Sequence, residues 1–401
     1  MPRSTSHTSH TSHTSHTSHT SHTSHTSHTS HTSHGSSDKA ASGSAAAAVL
    51  VTRDAIVGPY APPPAGFTPY PEDSADNLTI WGPDIRARIA DFELSQGITF
   101  TTRPAPDGSG ALMHTLWRTE TPATGVPTPT PAEIASFIRP APQVFTQQLD
   151  LVEAYSDLRS ERMNEILVQT ETLAPFFAVV ADLHESARTW SWEFISAGHR
   201  LAAQLAHRIK PAMAVRRPST LSAQVQPIIA TPAHGSLPSG HATESHAVAT
   251  ILLGLIRAGT GWPANRTHFA DTLAPQLLRV ASRISVNRTV AGVHYPIDSA
   301  CGATLGITLG RMVLARVGAL ENETGAWLFD GRAYDGTQDF RREAQVDMGF
   351  DGLTYELKSA AHGTADPWQA PAAAQPAAGT DGVVVLKAIF ERARAEWASV
   401  S

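Results

Sequence analysis

Three short segments of this chain hold most of the residues able to do chemistry on an anion. The first is Lys210-Pro-Ala-Met-Ala-Val-Arg-Arg217-Pro218, a lysine and an arginine seven positions apart where a helical pattern gives way to an extended turn. A compact ammonium and a planar guanidinium so placed can converge on one oxyanion, although a solvated basic helix end has the same look. The second, His234-Gly-Ser-Leu-Pro-Ser239-Gly240-His241, leads into a helix whose buried face carries Val248, Ile251, Leu252 and Leu255. Ser239, Gly240 and His241 then fall at its first turn. Free backbone N–H groups and the positive end of the dipole attract anions there, and glycine lets an oxyanion come close to the amides. A plain Ser-Gly N-cap is the ordinary reading of the same residues. The third segment is Asn287-Arg288-Thr-Val-Ala-Gly-Val-His294-Tyr-Pro-Ile-Asp298. If a helix begins near His294, Asp298 lies one turn on and can accept a hydrogen bond from the imidazole. That contact fixes the tautomer and leaves the other ring nitrogen free to attack or to ligate, with Arg288 as another fork for the anion. A His–Asp pair at this spacing is also a common helix-surface contact.

These segments need helices to hold them, and the apolar spacing supplies candidates. Phe145, Leu149, Val152, Tyr155 and Leu158 recur at threes and fours, which predicts one amphipathic helix from Val144 to about Gln169. Further helical patterns cover 174–184, 188–209, 241–257, 270–287 and 295–316, and a helical bundle is the economical architecture. Thr130, Pro131 and Glu133 look like a helix start, since proline is tolerated at the first helical position and threonine can cap. Before it, residues 60–131 are rich in proline and glycine, with a short strand expected at 97–102. The fold class expected is all-α, a helical bundle with an irregular N-terminal lobe. The divisions are a tail at 1–40, the lobe at 41–131, the bundle at 132–316 and a C-terminal extension at 317–401. The extension reads as mixed and ends in a surface helix over 382–399.

Composition bounds the rest. The 401 residues suffice for two average domains or one large one, and 41% of them are hydrophobic, which argues against wholesale disorder. With 30 Lys plus Arg against 36 Asp plus Glu, the totals carry no nucleic-acid footprint. A single cysteine, Cys301, rules out an internal disulfide. Residues 5 to about 37 repeat Ser-His-Thr, with histidine at every third position from His7 to His34; lacking apolar residues, this tail is expected to be disordered. It reads as a repeat-expanded solvated tail or as a metal scavenger. The run AASGSAAAAVLV after Lys39 is a poor secretory signal, too rich in small residues and too far from Met1. No stretch reaches the roughly 18 to 20 apolar residues of a membrane span; the best ones stop at Arg257 and Arg311. The expectation is a soluble protein, cytoplasmic before periplasmic or secreted.

In order and spacing the three segments together resemble the signature of the type 2 phosphatidic acid phosphatase and vanadium-dependent haloperoxidase superfamily. That signature is Lys, six residues, Arg-Pro; then Pro-Ser-Gly-His; then Ser-Arg, five residues, His, three residues, Asp. Lys210, Arg217, Pro218, Pro238, Ser239, Gly240, His241, Arg288, His294 and Asp298 match, and the departure is Asn287 where the family usually has serine. The resemblance covers roughly 140–316. It implies that Lys210, Arg217, Ser239, Gly240 and Arg288 cradle a tetrahedral phosphate or vanadate. It further implies that His294 is the nucleophile or the single protein ligand to vanadium, that Asp298 orients it, and that His241 is the acid and then the base.

The same cage serves two reactions, so the resemblance leaves the chemistry open. Hydrolysis of a small phosphate ester through a phosphohistidine needs no cofactor. Halide oxidation by peroxide needs vanadate on His294. His234 is the position suggestive of a halide site, since the bromoperoxidase branch carries a second histidine there. Against that branch, many haloperoxidases have tryptophan three residues before the lysine, and this chain has His207. Integral lipid phosphatases of the superfamily are multi-spanning, so the expectation is a soluble, acid-phosphatase-like hydrolase. Haloperoxidase is the alternative, and a non-catalytic anion or metal binder the third reading. Pairing into a homo-oligomer is common among bundles of this resemblance.

Overall fold

A computed structural model describes residues 43–59, 61, 69–72, 74–120, 130–261, 268–320, 322–323, 327–341 and 382–398, with four short strand pieces between 346 and 376. The Ser-His-Thr repeat and half of the 317–384 stretch lie outside the described residues. The helices are α1 (Gly43–Ile56), α2 (Pro83–Ser95), α3 (Pro142–Ser156), α4 (Arg159–Glu171), α5 (Ala174–Ala181), α6 (Thr189–Met213), α7 (Pro218–Leu221), α8 (Gly240–Thr260), α9 (His268–Val290), α10 (Pro296–Arg316) and α11 (Val384–Ala395). The strands are β1 (Ile98–Pro104), β2 (Leu112–Glu120), β3 (Thr130–Ile138), β4 (Asn322–Glu323), β5 (Trp327–Asp330), β6 (Val346–Met348), β7 (Tyr355–Leu357), β8 (Trp368–Gln369) and β9 (Gln375–Pro376).

The helical part stands, but the molecule is not all-α and its N-terminal lobe is not irregular. A five-stranded sheet runs β1-β2-β3-β5-β8. β1 and β2 pair antiparallel with Ile98 opposite Arg118, β2 and β3 antiparallel with His114 opposite Phe137, and β3 and β5 parallel with Phe137 opposite Phe329. The segment read as a helix start at Thr130, Pro131 and Glu133 is therefore strand β3. Its residues Ile134 to Ile138 are all buried, as befits a strand inside a sheet with neighbours on both edges, and that pairing overrides the local capping signal. The helix start belongs instead to Pro142, the first residue of α3 after Ala141. Strands from both sides of the expected divisions at 131 and 316 thus share one sheet.

The single helix expected over 144–169 is two, α3 and α4. Asp157 and Leu158, between them, keep right-handed helical dihedrals (φ −62°, ψ −23° and φ −85°, ψ −2°), so the apolar spacing runs through the break unmarked. The C-terminal helix α11 is a core element rather than a surface one. Leu386, Ile389 and Phe390 are buried, as is Trp397 beyond its end, and Phe390 packs on Phe194 of α6 with ring centroids 5.2 Å apart. A carboxylate ties down the start of α11 and another, just past its end, the start of α6. Glu93 accepts from the amides of Val385 and Leu386 (3.0 and 2.8 Å), and Glu396 accepts from the amides of Trp190 and Ser191 (both 2.9 Å).

The central helix is α8, buried over almost its whole length between α6, α9, α10 and α11. Its closest neighbour is α10, because Gly302, Gly306 and Gly310 form a stripe at four-residue spacing facing α8. A Cβ on Gly302 or Gly306 would collide with the main-chain oxygen of Ser239 or Thr243. Backbone therefore meets backbone, and the start of α10 is held beside the start of α8.

Candidate active site

Lys210 occupies the last turn of α6, which ends at Ala214 in the left-handed region (φ 50°). Its Nζ is buried and donates to the carbonyl oxygens of Gly235 (3.2 Å), Ser236 (3.1 Å) and Pro238. Burial and then the Arg217 charge pull its pKa down, but three carbonyl acceptors require the three protons of an ammonium. The lysine thus pins the loop of the second segment to the first. The amide of Ser236 donates to Val215 (2.9 Å), joining the two segments again just before Arg217.

Ser239 is the N-cap of α8, its Oγ accepting from the amide of Ala242 at 3.4 Å, and Gly240 is the first helical residue. The amide of Ser239 donates to the main-chain oxygen of Asp298 (2.9 Å), so the second and third segments meet where the glycine stripe brings α8 and α10 together. The third segment enters α10 with Pro296 as its first residue and Asp298 in the first turn. Asp298 Oδ2 accepts from Nδ1 of His294 (2.9 Å) and from the amide of Tyr295 (3.0 Å). One carboxylate oxygen thus orients the imidazole and caps the helix.

Arg217 closes the arrangement. Its Nη1 donates to Nε2 of His294 (2.8 Å) and to the carbonyl of Val293 (2.7 Å), its Nε to the carbonyl of His234 (3.0 Å), and its Nη2 to Nδ1 of His234 (3.1 Å). His294 is buried, and burial, then Arg217 and Lys210, hold its pKa well below the usual histidine value. The ring is neutral, with its proton on Nδ1 toward Asp298 and its lone pair on Nε2 toward Arg217. Burial also raises the Asp298 carboxyl, against the pull of the Tyr295 amide and Lys210, while Arg217 is lowered only to about 10 and stays charged at neutral pH.

Arg288 and His241 meet on a residue that sequence reasoning did not single out. Gln169 of α4 is buried; its Oε1 accepts from Nη2 of Arg288 (2.8 Å) and Nδ2 of Asn287 (3.2 Å), and its main-chain oxygen accepts from Nε2 of His241 (2.9 Å). Arg288 is lowered to about 10 by burial and remains cationic; Glu244 is the nearby charge that holds it up. Glu244 is the second residue missed. It is buried one turn beyond Gly240, its Oε1 close over the glycine, and pairs with Nε2 of His199 (3.4 Å). A lone carboxylate on an otherwise apolar helix face was the signal available for it. Nothing in the spacing pointed to Gln169.

His234 is partly buried and its pKa is lowered to about 4, by burial first and by Lys210 next. The His207 ring meets it edge-on, centroids 4.9 Å apart. The structure therefore brings His294, Asp298, Arg217 and His234 into one hydrogen-bonded chain. It places Ser239 and Gly240 at the adjoining start of α8 and Lys210 at the end of α6, bound to the loop before them, and joins Arg288 to His241 through Gln169. Among the described residues no cluster of three or more His, Cys, Asp or Glu is disposed to hold a metal ion, and no helix is long and apolar enough to cross a membrane. A neutral imidazole with an oriented lone pair among charged donors can attack, or bind, the central atom of a tetrahedral oxyanion.

Residues 194–320 match the PAP2 superfamily. The chain is 33% identical over 126 residues to decaprenylphosphoryl-5-phosphoribose phosphatase of Mycobacterium tuberculosis (strain CDC 1551 / Oshkosh), covering 31% of this chain and 61% of that protein. It is 34% identical over 125 residues to the protein of the same name from Mycolicibacterium smegmatis, covering 31% and 59%. The chain thus spans about three fifths of the length of these curated relatives. Among solved structures, a transmembrane PAP2 type phosphatidylglycerolphosphate phosphatase from Bacillus subtilis aligns with 42% of this chain and 84% of its own, at 17% identity and a TM-score of 0.34.

Proposed function

We propose that residues 194–320 form a PAP2 superfamily domain and the core of a phosphoric-ester hydrolase that works through a phosphohistidine on His294, within the helices from α3 to α10. The substrate takes its place against the start of α8, and Arg217 exchanges its bond to His294 for bonds to the phosphoryl oxygens. Nε2 of His294 then attacks phosphorus as the bond to the leaving oxygen breaks, and His241 gives that oxygen its proton. Asp298 stabilises the imidazolium that forms. In the second half His241 takes a proton from water, the water oxygen attacks phosphorus, the P–N bond breaks and inorganic phosphate leaves. Lys210, Arg217, Arg288, Ser239 and the Gly240 amide offset the charge that develops on the equatorial oxygens. Each step is closed by protein groups and water, so no cofactor enters.

The observation that carries this reading is the ring of His294, with Nδ1 on Asp298 and Nε2 on the arginine assigned to the anion. The mycobacterial relatives are named for a phosphate ester on a lipid-linked sugar, which fits a substrate class of phosphate esters of alcohols. Against halide oxidation stands His234, whose ring is engaged by Arg217 and kept neutral, so it offers no cationic partner to a halide.

The test is a paired assay on one metal-stripped preparation: an aryl phosphate in one arm; orthovanadate, hydrogen peroxide, bromide and a brominatable dye in the other. The expected result is vanadate-inhibited ester hydrolysis and no bromination. Vanadate-dependent bromination without hydrolysis would replace this reading with the haloperoxidase one.

A further inference from the structure

The three sequence segments leave one side of the site to α4, a helix that lies outside the matched residues 194–320. Resting on the reading above, we propose that Gln169 is a further binding residue of this site: its side-chain amide Nε2 donates to the phosphoryl group beside Arg288. Its main chain meanwhile holds His241.

The orientation of the amide is decided by its neighbours. Arg288 Nη2 and Asn287 Nδ2 are both donors, at 2.8 and 3.2 Å, and only a carbonyl oxygen can receive them. Oε1 therefore faces these two and Nε2 is turned away from them. Gln169 is 2% exposed and Arg288 1%. Yet Nε2 of Gln169, and Nε and Nη1 of Arg288, have no hydrogen-bond partner among the described residues. Buried donors left unmatched are costly, and these belong to two side chains bonded to each other. An anion with several acceptor oxygens is the ligand that satisfies such a set. Next to it, the carbonyl of Gln169 accepts from Nε2 of His241 at 2.9 Å, so this nitrogen carries a proton. One residue of α4 therefore joins the acid to the anion clamp. Asn287, the departure from the family pattern, takes part: its amide reaches Gln169 and Glu165 (3.0 Å) while its Oδ1 accepts from Arg162 (3.2 Å). The residue that breaks the motif thus bonds three side chains of α4, those of Arg162, Glu165 and Gln169.

Two near-isosteric variants of the full chain test this, with direct binding of orthovanadate and inorganic phosphate read by calorimetry and aryl phosphate turnover followed in parallel. Gln169→Leu removes the donor and the acceptor together and is expected to weaken vanadate binding roughly tenfold or more. Gln169→Glu still accepts from Arg288 and Asn287 but has no amide to give, and its charge repels the anion; it should bind at least as weakly as Gln169→Leu. If Gln169→Glu instead binds like the unmodified protein while Gln169→Leu does not, Gln169 only props Arg288 and the inference fails. Unchanged binding in both variants overturns it as well. An unmodified protein that binds neither anion overturns the functional reading first, so the two failures are told apart.

Discussion

Arg217 donates from Nη1 to Nε2 of His294 across 2.8 Å, placing a fixed positive charge against the atom proposed as the nucleophile. The contact holds the ring in one orientation from the side opposite Asp298. In the proposed mechanism it also couples anion binding to activation, because a phosphoryl group that takes the guanidinium frees the lone pair of His294.

His294→Ala is expected to abolish turnover, since no neighbouring side chain supplies a substitute nucleophile. Asp298→Asn should cost roughly 10²-fold to 10⁴-fold in kcat, as an amide can present the wrong partner to Nδ1 and gives the imidazolium no charge, while vanadate affinity changes little. Steady-state kinetics with vanadate inhibition separates the two parameters. Near-normal turnover by His294→Ala would remove the nucleophile assignment.

Arg217→Ala and Arg288→Ala should each weaken vanadate binding by roughly 2 to 5 kcal/mol, the range for losing one partner of a buried charged contact. Unchanged affinity in either would place that arginine outside the anion site.

The pH profile follows from the sign of the His294 shift. Protonation of His294 destroys the nucleophile, and burial with Arg217 and Lys210 holds its pKa well below 6.5, so the acid limb of kcat/KM should lie below pH 6.5. Removing a neighbouring cation makes protonation easier. In Arg217→Lys, which keeps the charge, the limb should stay low; in Arg217→Ala it should move up. A limb that stays put in Arg217→Ala would show that another group controls it.

His234→Ala should weaken vanadate binding by several-fold, because the ring of His234 holds Nη2 of Arg217, and it should confer no change in halide dependence. Halide-dependent behaviour lost in this variant would restore the halide-site role.

Gly306→Ala should lower stability by about 1 to 3 kcal/mol or more, because its methyl group must displace the backbone of α8 at Thr243. Thermal unfolding measures this. Since the same contact sets Ser239 beside Asp298, activity should fall more than stability alone accounts for.

The sequence made the helices of the site legible for identifiable reasons. α8 and α10 carry dense apolar spacing, a serine N-cap and a proline at the first helical position, and the i, i+4 spacing of His294 and Asp298 translates directly into their 2.9 Å contact. β3 was not legible because Thr130-Pro131-Ala-Glu133 satisfies the rules for a helix start, and one of the two strands that claim it, β5, lies nearly two hundred positions on. α11 looked like a surface helix because its charged face, with Arg392 and Arg394, is as evident as the apolar face that packs on α6. Gln169 was hidden for the same reason as β3: its partners His241 and Arg288 belong to other helices, and no local period links them.

The most direct test of the central claim is to trap the covalent state. The protein would be mixed with a phosphate ester labelled with ³²P at phosphorus, quenched in alkali within the first turnovers, digested and sequenced. The account predicts acid-labile, alkali-stable label on the peptide carrying His294, absent in His294→Ala and discharged by water in the unmodified protein. Steady hydrolysis with no label on His294, or label on another residue, would contradict it.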